Sequence, residues 1–240
     1  MSLYDRIAHL YDPWSASVVE DIEFYVEEAR SSGGPVVELA VGTGRIAVPM
    51  AAAGIRVIGL DSSSGMLAVA RDAAADAGVE VDLREGDMRE PPVEGTHPLV
   101  VIAFRSLLHM ESDADRRATL RAVHRLLEPG GRLVFDVFAP APDDISETHG
   151  RWIEREPGIF ERAEWDEDAR RLVLSVRGLG AETSLSLAWV SVPEWRVLLA
   201  DEGFAVEGLY GWFDRTPWAG HEDSIWVCRR NEVPGRPPYG

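Results

Sequence analysis

The sequence predicts an α/β fold built on a doubly wound, mostly parallel sheet. Short apolar runs of strand length alternate with segments of helical periodicity up to about residue 139. A glycine-rich turn joins the first of these strands to a helix. Strands that alternate with helices pair in parallel through helical crossovers. The predicted strands are 36–40, 55–60, 79–83, 99–104 and 132–138, the last after a turn at 129–131; the helices are 15–30, 46–53, 64–77 and 113–127.

The pattern changes after a Pro-rich break at residues 139–142. Three short strands separated by turns, at 160–165, 172–177 and 183–190, predict an antiparallel insertion. A helix at 192–201 and strands at 205–211 and 225–229 then return the chain to the main sheet. The Pro/Gly-rich tail from Asn231 is expected to fray.

The charge composition excludes several classes of function. The formal net charge is −17 and all 24 basic residues are arginine. Nucleic acids bind through basic side chains that displace counterions from phosphates, so we expect no nucleic-acid partner. Without lysine the chain has no Walker lysine, no Schiff-base lysine and no Tyr-Lys dehydrogenase pair.

The hydropathy pattern predicts a cytoplasmic protein with no membrane partner. No apolar run approaches the ~20 residues that span a bilayer, and the first residues lack the basic and apolar regions of a signal peptide. The single cysteine, Cys228, lies in an apolar stretch and is expected to fill the core. The histidines show no pair at metal-ligand spacing, so no metal is predicted.

The strongest chemical signal is the segment VVELAVGTGR at residues 36–45. A buried strand runs into a turn containing Gly42 and Gly44, and a helix follows. Glycine lets the backbone turn tightly and approach a ligand, and the amides at a helix start favour a carboxylate or a phosphate. This arrangement predicts a nucleotide site.

Further residues follow the later strands at the same predicted edge. Asp61 ends the second strand, where a carboxylate binds ribose hydroxyls. Asp87 and Met88 follow the third strand and offer an acceptor for an adenine amino group and an apolar cover for its ring. Phe104 and Arg105 follow the fourth strand, at the switch point where open α/β sheets bind ligands.

These segments resemble the class I S-adenosylmethionine-dependent methyltransferases of small molecules. The resemblance covers residues 4–138 and includes a Leu-Glu-Pro-Gly-Gly hairpin at 127–131. It implies a Rossmann-like, seven-stranded sheet with an antiparallel last strand and an antiparallel β insertion or lid. It also implies S-adenosyl-L-methionine as cofactor, with Tyr4 and Tyr11 in an N-terminal segment that closes over it. The cofactor-binding residues expected are Tyr11, Glu38, Ala40, Gly42, Gly44, Arg45, Asp61, Ser62, Met66, Asp87, Met88 and Phe104. Ala40 departs from the family, which has glycine there.

A single domain over residues 1–240 is therefore expected. Its parts are a cofactor-binding core at 1–139, an antiparallel insertion at 150–191 and the C-terminal part of the core sheet at 192–230. The eight tryptophans, most of them in the second half, either line a substrate pocket or pack in the sheets.

Two residues are candidates for catalysis. Methyl transfer from a sulfonium is an in-line displacement that needs mainly positioning and exclusion of water. His109 is expected to take a proton from an attacking amine or hydroxyl, or else to pack at a helix. Arg105 is expected to clamp a substrate carboxylate, or else to pair with a nearby acid. Arg45 either caps the glycine turn or pairs with the acidic surface.

The prediction is therefore N- or O-methylation of a small molecule, with two rivals. Gly42 and Gly44 followed by Asp61 also satisfy the fingerprint of an NAD(P)-dependent oxidoreductase. A non-catalytic protein that binds the adenosyl cofactor would carry the same motifs. The acceptor is not identified, and a homodimer is left open.

Overall fold

The protein contains a seven-stranded sheet with helices on both faces. The structure, a computed structural model, describes residues 3–231; the predicted tail lies, from residue 232 on, outside them. The strands of this sheet are β1 (Val36–Leu39), β2 (Val57–Asp61), β3 (Asp82–Glu85), β4 (His97–Ile102), β5 (Leu127–Phe138), β10 (Phe204–Tyr210) and β11 (Asp223–Arg230). Their order is β10-β11-β5-β4-β1-β2-β3, and β11 is antiparallel to both of its neighbours. The predicted fold class is confirmed.

Helices cover both faces of the sheet, because the apolar side chains of its central strands alternate between the two faces. The helices are α1 (Ala8–Trp14), α2 (Glu20–Ser32), α3 (Ala47–Ala52), α4 (Ser64–Asp76), α5 (Asp113–Leu126), α6 (Pro142–Thr148) and α7 (Val192–Asp201). Val37 and Phe135 share one buried cluster with residues of α5 and α7. Val36 and Val134 share the other with residues of α2, α3 and α4. Because successive strand residues point to opposite faces, both faces are buried.

A second sheet carries the insertion. Its strands are β6 (Trp152–Glu156), β7 (Ile159–Asp166), β8 (Arg171–Gly178) and β9 (Ala181–Ala188), joined as antiparallel neighbours in chain order. Leu172, Leu185 and Leu187 belong to the same apolar cluster as the main sheet. The insertion is therefore packed against the core. The domain boundaries themselves stay a prediction.

The N-terminal region differs from the single helix predicted at 15–30. A 3-10 helix at Leu3–Arg6 and α1 precede a turn, and α2 begins only at Glu20. The Ser15 hydroxyl donates to the Tyr11 carbonyl, 3.0 Å away, at the end of α1. Gly33, with φ of 71°, ends α2. Apolar spacing continues through the turn, so the prediction began this helix five residues early, and it missed α1 and the 3-10 helix.

The strand predictions fail at the sheet edges. The third strand was placed at 79–83 but pairs over Asp82–Glu85, where edge residues need no apolar pattern. The turn predicted at 129–131 is instead a bulge within β5, because His97 pairs with Leu127 and the next pair is Leu99 with Arg132. Strand β6 and helix α6, both rich in charged or polar residues, were missed. No helix within residues 3–231 is long and apolar enough to cross a membrane.

Candidate active site

The predicted ligand-binding residues lie at the carboxyl edge of the parallel strands. The loops after β1, β2 and β4 meet there, because these strands run in one direction. The N-terminal segment, residues 3–19, lies across this edge. The Thr43 hydroxyl donates to Asp12 at 2.5 Å, and the Ser63 hydroxyl donates to Asp5 at 2.7 Å.

The glycine turn is left-handed at three positions. The φ angles of Ala40, Gly42 and Gly44 are 60°, 56° and 84°. A Cβ at Gly42 would meet no atom of the described residues within 4 Å, so the turn is open there, whereas a Cβ at Gly44 would press on Val48 and Ala70. Ala40 adopts the left-handed conformation that glycine holds without penalty, at a cost of about 1–2 kcal/mol. The departure at Ala40 is tolerated in the backbone but strained.

Asp61 ties the end of β2 to this turn. Its carboxylate accepts the Gly42 N–H at 2.9 Å and the Ser63 N–H at 2.8 Å. Burial raises the pKa of Asp61, and these hydrogen bonds oppose the rise. Each carboxylate oxygen accepts further donors, as ribose hydroxyls require. Neighbouring Ser62 is exposed, whereas Met66 is buried in the first turn of α4.

Glu38 is a buried acid without a donor for one of its oxygens. The residue is 2% exposed, and its Oε2 has no hydrogen-bond partner within residues 3–231. Burial raises its pKa to about 8, although Arg45 lowers it. A buried acceptor left unpaired is costly. The orphaned oxygen, beside an open glycine turn, therefore fits a ligand that carries an ammonium or hydroxyl group.

Arg45 is held away from solvent by a buried acid. Its guanidinium donates two hydrogen bonds to Asp21, at 2.7 and 2.6 Å, and lies 4.5 Å from the centroid of the Phe104 ring. Asp21 is 1% exposed. The structure thus contains an ion pair for Arg45, as one of its two alternatives predicted, but the partner is a core carboxylate of α2 and not a surface acid. Any influence of Arg45 on a bound cofactor passes through the Phe104 ring or through charge.

At the predicted adenine end, Asp87 is already paired. Arg89 donates to its carboxylate at 2.6 Å and also binds Asp115 at 2.6 Å. The hydrogen bonds from Arg89 lower the pKa of Asp87. The Asp87 carboxylate stays ionised as an acceptor. Met88 is half-buried and packs against the core, where it can cover one face of a ring.

The loop after β4 is held by a residue that the sequence analysis missed. Phe104 and Arg105 have φ angles of 55° and 61°, which are rare for residues other than glycine. Their N–H groups donate to Asp136 of β5, at 2.7 and 2.9 Å. The Tyr25 hydroxyl also donates to Asp136, at 2.5 Å. The signal in the sequence was a lone acid inside the apolar run at 133–138.

His109 meets an aromatic residue of the N-terminal segment. It ends a 3-10 helix, Ser106–His109, and its Nε2 lies 2.9 Å from the Tyr4 hydroxyl. Burial lowers the pKa of His109 and raises the pKa of Tyr4 well above its usual range. Both groups are therefore neutral near pH 7, so Tyr4 donates and His109 Nε2 accepts. The residues are 105 positions apart, and no sequence pattern linked them.

Arg105 is engaged by an acid on the last strand. Its guanidinium lies 2.7 Å from Asp223 and 5.0 Å from the centroid of the Phe138 ring. The Trp165 ring packs 6.1 Å from that of Phe138, and Trp189 packs 5.6 Å from Trp165. The structure thus contains the ion pair named as the alternative for Arg105, with an aromatic wall beside it.

The comparisons with known proteins find similarity to methyltransferases. A family of methyltransferase domains matches residues 36–131. The cypemycin N-terminal methyltransferase of a Streptomyces species is 25% identical over 236 residues, which cover 93% of this chain and 92% of the relative. The chain spans about half the length of other curated relatives that it matches, 53% and 55% for two of them.

Solved structures extend the similarity over nearly the whole chain. The CcbJ methyltransferase from Streptomyces caelestis superposes with a TM-score of 0.85 at 25% identity, covering 97% of this chain and 99% of that one. An S-adenosylmethionine-dependent methyltransferase from Clostridium acetobutylicum shares the fold, with a TM-score of 0.81 at 14% identity, over 96% and 100% of the two chains. The nicotinamide alternative finds no support among these matches. Residues 36–131 thus match a methyltransferase domain, and the chain is similar to methyltransferases, S-adenosylmethionine-dependent ones among them, over nearly its whole length.

Proposed function

We propose that this chain transfers the methyl group of S-adenosylmethionine to an amine or hydroxyl of a small molecule. The observation that carries the proposal is the meeting of two features at one edge of the sheet. One is a cradle for the cofactor, formed by the open glycine turn, Asp61 and the orphaned Glu38 oxygen. The other is the neutral Tyr4–His109 pair, placed to accept a proton.

Different residues of this cradle bind different parts of the cofactor. Gly42 and Gly44 let the backbone approach it, Asp61 accepts from its ribose hydroxyls, and Glu38 accepts from its ammonium group. Phe104, Met88 and Asp87 border its adenine end, with Tyr11 above: the rings of Tyr11 and Phe104 lie 6.2 Å apart. When bound, the cofactor supplies a methyl group on a sulfonium, which is open to direct displacement.

The Tyr4–His109 pair provides a path for the proton that the acceptor loses. On methylation, which would exchange the carbon–sulfur bond for a bond to the acceptor, the acceptor nitrogen or oxygen would lose its proton to the Tyr4 oxygen. The Tyr4 proton passes in turn to His109 Nε2, which leaves Tyr4 neutral and His109 cationic. General bases of this kind contribute about 10²–10⁴-fold to rates.

An amine is the acceptor class that the relatives and the charge favour. The relative that aligns over most of this chain methylates an N-terminus, according to its name. A structural neighbour from Streptoalloteichus is a sugar N-methyltransferase. The net charge of −17 draws cationic molecules and repels polyanions. The aromatic wall of Phe138, Trp165 and Trp189 offers ring faces on which a cation packs.

The test is methyl transfer to a panel of primary amines, secondary amines and phenols, read by mass spectrometry. The expected product is heavier by one methyl group, and it appears with an amine. His109→Gln should lower turnover about 100-fold while changing the dissociation constant for S-adenosylhomocysteine less than threefold; His9→Gln, at an exposed site, is the control. Activity should also fall as pH drops through the lowered pKa of His109.

Two outcomes would count against the proposal. Full activity in His109→Gln would show that the Tyr4–His109 pair does not take the proton from the acceptor. Cofactor binding without methylation of any panel member would favour the non-catalytic protein.

Other expectations remain proposals. They are a cytoplasmic location, a homodimer and the absence of a nucleic-acid partner. Within residues 3–231 no three His, Cys, Asp or Glu side chains are grouped to hold a metal ion; that the protein works without a metal is likewise proposed.

A further inference from the structure

Asp136 is a carboxylate buried within the apolar second half of strand β5. It is 5% exposed, and its neighbours along β5, Phe135 and Val137, are fully buried. It lies far from the glycine turn in sequence and belongs to none of the motifs discussed above. An acid in such a place is retained only if its hydrogen-bonding capacity is used.

Three donors converge on this carboxylate. The Phe104 N–H and the Tyr25 hydroxyl donate to Oδ1 at 2.7 and 2.5 Å, and the Arg105 N–H donates to Oδ2 at 2.9 Å. Two of the three donors are consecutive backbone amides of the loop after β4. Hydrogen bonds from several donors to an ionised oxygen are the strong kind.

The two amides belong to residues in the left-handed conformation, which residues other than glycine rarely adopt. Phe104 and Arg105 both have positive φ, 55° and 61°. Successive left-handed residues that are not glycine persist only where their surroundings hold them. Here the holding contact is the pair of hydrogen bonds to the two oxygens of one carboxylate.

This backbone conformation aims two side chains into different halves of the site. The Phe104 ring lies under the Arg45 guanidinium, at 4.5 Å, and 6.2 Å from the Tyr11 ring. The Arg105 guanidinium lies over the Phe138 ring and pairs with Asp223. An ordinary conformation at either residue would turn these side chains out of their contacts.

We infer that Asp136 is a positioning residue: its buried carboxylate fixes the turn at Phe104 and Arg105 and thereby shapes the wall between the cofactor and acceptor halves of the site. The use of S-adenosylhomocysteine as the ligand in the test of this inference rests on the proposed function. The conformational part of the inference does not, because it concerns the amides of the free protein.

The test compares Asp136→Asn with two matched variants. Asparagine keeps the size of the side chain but replaces one acceptor oxygen by an NH2 group, which leaves a backbone N–H facing another donor. Tyr25→Phe removes only the hydroxyl donor. Ser224→Ala removes a buried side chain of β11 that bonds to Val137 and Trp226 but not to the loop.

Two readouts separate positioning from general destabilisation. Amide proton resonances of Phe104 and Arg105 should be shifted downfield in the wild type, Tyr25→Phe and Ser224→Ala, and should lose that shift in Asp136→Asn. The dissociation constant for S-adenosylhomocysteine, by titration calorimetry, should rise at least tenfold in Asp136→Asn. It should change less than threefold in the two control variants.

A folded Asp136→Asn variant with wild-type resonances and affinity would overturn the inference. If that variant does not fold, the wild type still decides: amides at 104 and 105 that exchange rapidly with solvent and lack the downfield shift would equally overturn it. Failure of the wild type to bind S-adenosylhomocysteine would contradict the proposed function instead, while the amide resonances continue to test the role of Asp136.

Discussion

At the scale of single residues, the candidate site is built around three acids that are shielded from solvent. Glu38, Asp61 and Asp136 all have a pKa raised by burial, and each lies at or beneath the carboxyl edge of the sheet. Asp61 and Asp136 are compensated by backbone N–H donors, whereas one oxygen of Glu38 is not. The unpaired oxygen of Glu38 therefore destabilises the free protein but is available to bind the cofactor.

Glu38→Gln should make the free protein more stable at high pH and weaken cofactor binding. Burial lifts the pKa of Glu38 from 4.5 to about 8, so the folded state binds a proton that the unfolded state has released. The wild type thus loses unfolding free energy as pH rises from about 4.5 to 8, by up to about 5 kcal/mol at about 1.4 kcal/mol per pKa unit. Urea unfolding at pH 4.5 and pH 8.5 measures this loss.

Glu38→Gln should not show this loss of unfolding free energy with rising pH. Glu80→Gln, at an exposed site, should show it as the wild type does. An identical pH dependence in wild type and Glu38→Gln would show that Glu38 ionises normally.

At this scale the sequence predicted the residues that follow a strand, because a parallel sheet brings strand ends together wherever the loops lead. It did not predict pairs such as Tyr4 with His109, or Asp136 with Phe104. Such pairs depend on how separate elements pack, and neither periodicity nor a motif reports that.

Among the elements, the N-terminal segment has most to do with access to the site. It contacts the glycine turn through Asp12 and Thr43, and the start of α4 through Asp5. On its other side, the Trp14 Nε1–H donates to Glu161 of β7 at 3.2 Å, and the Ser17 N–H donates to Glu156 of β6 at 3.0 Å. The segment therefore bridges the core and the insertion above the predicted cofactor.

Cofactor binding should slow hydrogen exchange in residues 7–19. These residues include the short helix α1, which contains Pro13, and their contacts to the core run through loops that the cofactor would touch. We expect saturating S-adenosylhomocysteine to lower their exchange rates at least tenfold, measured by mass spectrometry. Helix α7, which packs against the edge strand β10, should exchange at an unchanged rate; equal protection of both, or of neither, would show that the segment does not close over the ligand.

The elements that the sequence predicted well are central strands buried on both sides and a helix with one clear apolar face. Strands β1 and β4 and helix α7 lie where apolar runs or helical periodicity are unbroken, and α7 matches its predicted bounds of 192–201. Edge strands β3 and β6 were displaced or missed, because an edge strand is half solvated and its residues need not be apolar. The N-terminal helices were missed for another reason: their polar and apolar contacts are with elements distant in sequence, the insertion among them.

At the scale of the whole molecule, one apolar cluster joins the sheet, helices α5 and α7, and the insertion. A smaller cluster joins the N-terminal segment to the insertion through Ile7, Leu10, Ile159 and Val176. The site thus lies where three parts of the chain meet, inside an acidic protein whose ion pairs all use arginine. This arrangement suits a small ligand enclosed between a rigid edge and a cover.

The most direct test of this account is calorimetric titration of the wild type and of Asp61→Ala with S-adenosylmethionine, S-adenosylhomocysteine and NADH. The wild type should bind both adenosyl ligands and not NADH. Asp61→Ala should weaken both at least tenfold, because the carboxylate that accepts from the ribose and holds the glycine turn is gone. A wild type that binds neither adenosyl ligand, or an Asp61→Ala variant with unchanged affinity, would contradict the assignment of this edge of the sheet as the cofactor site.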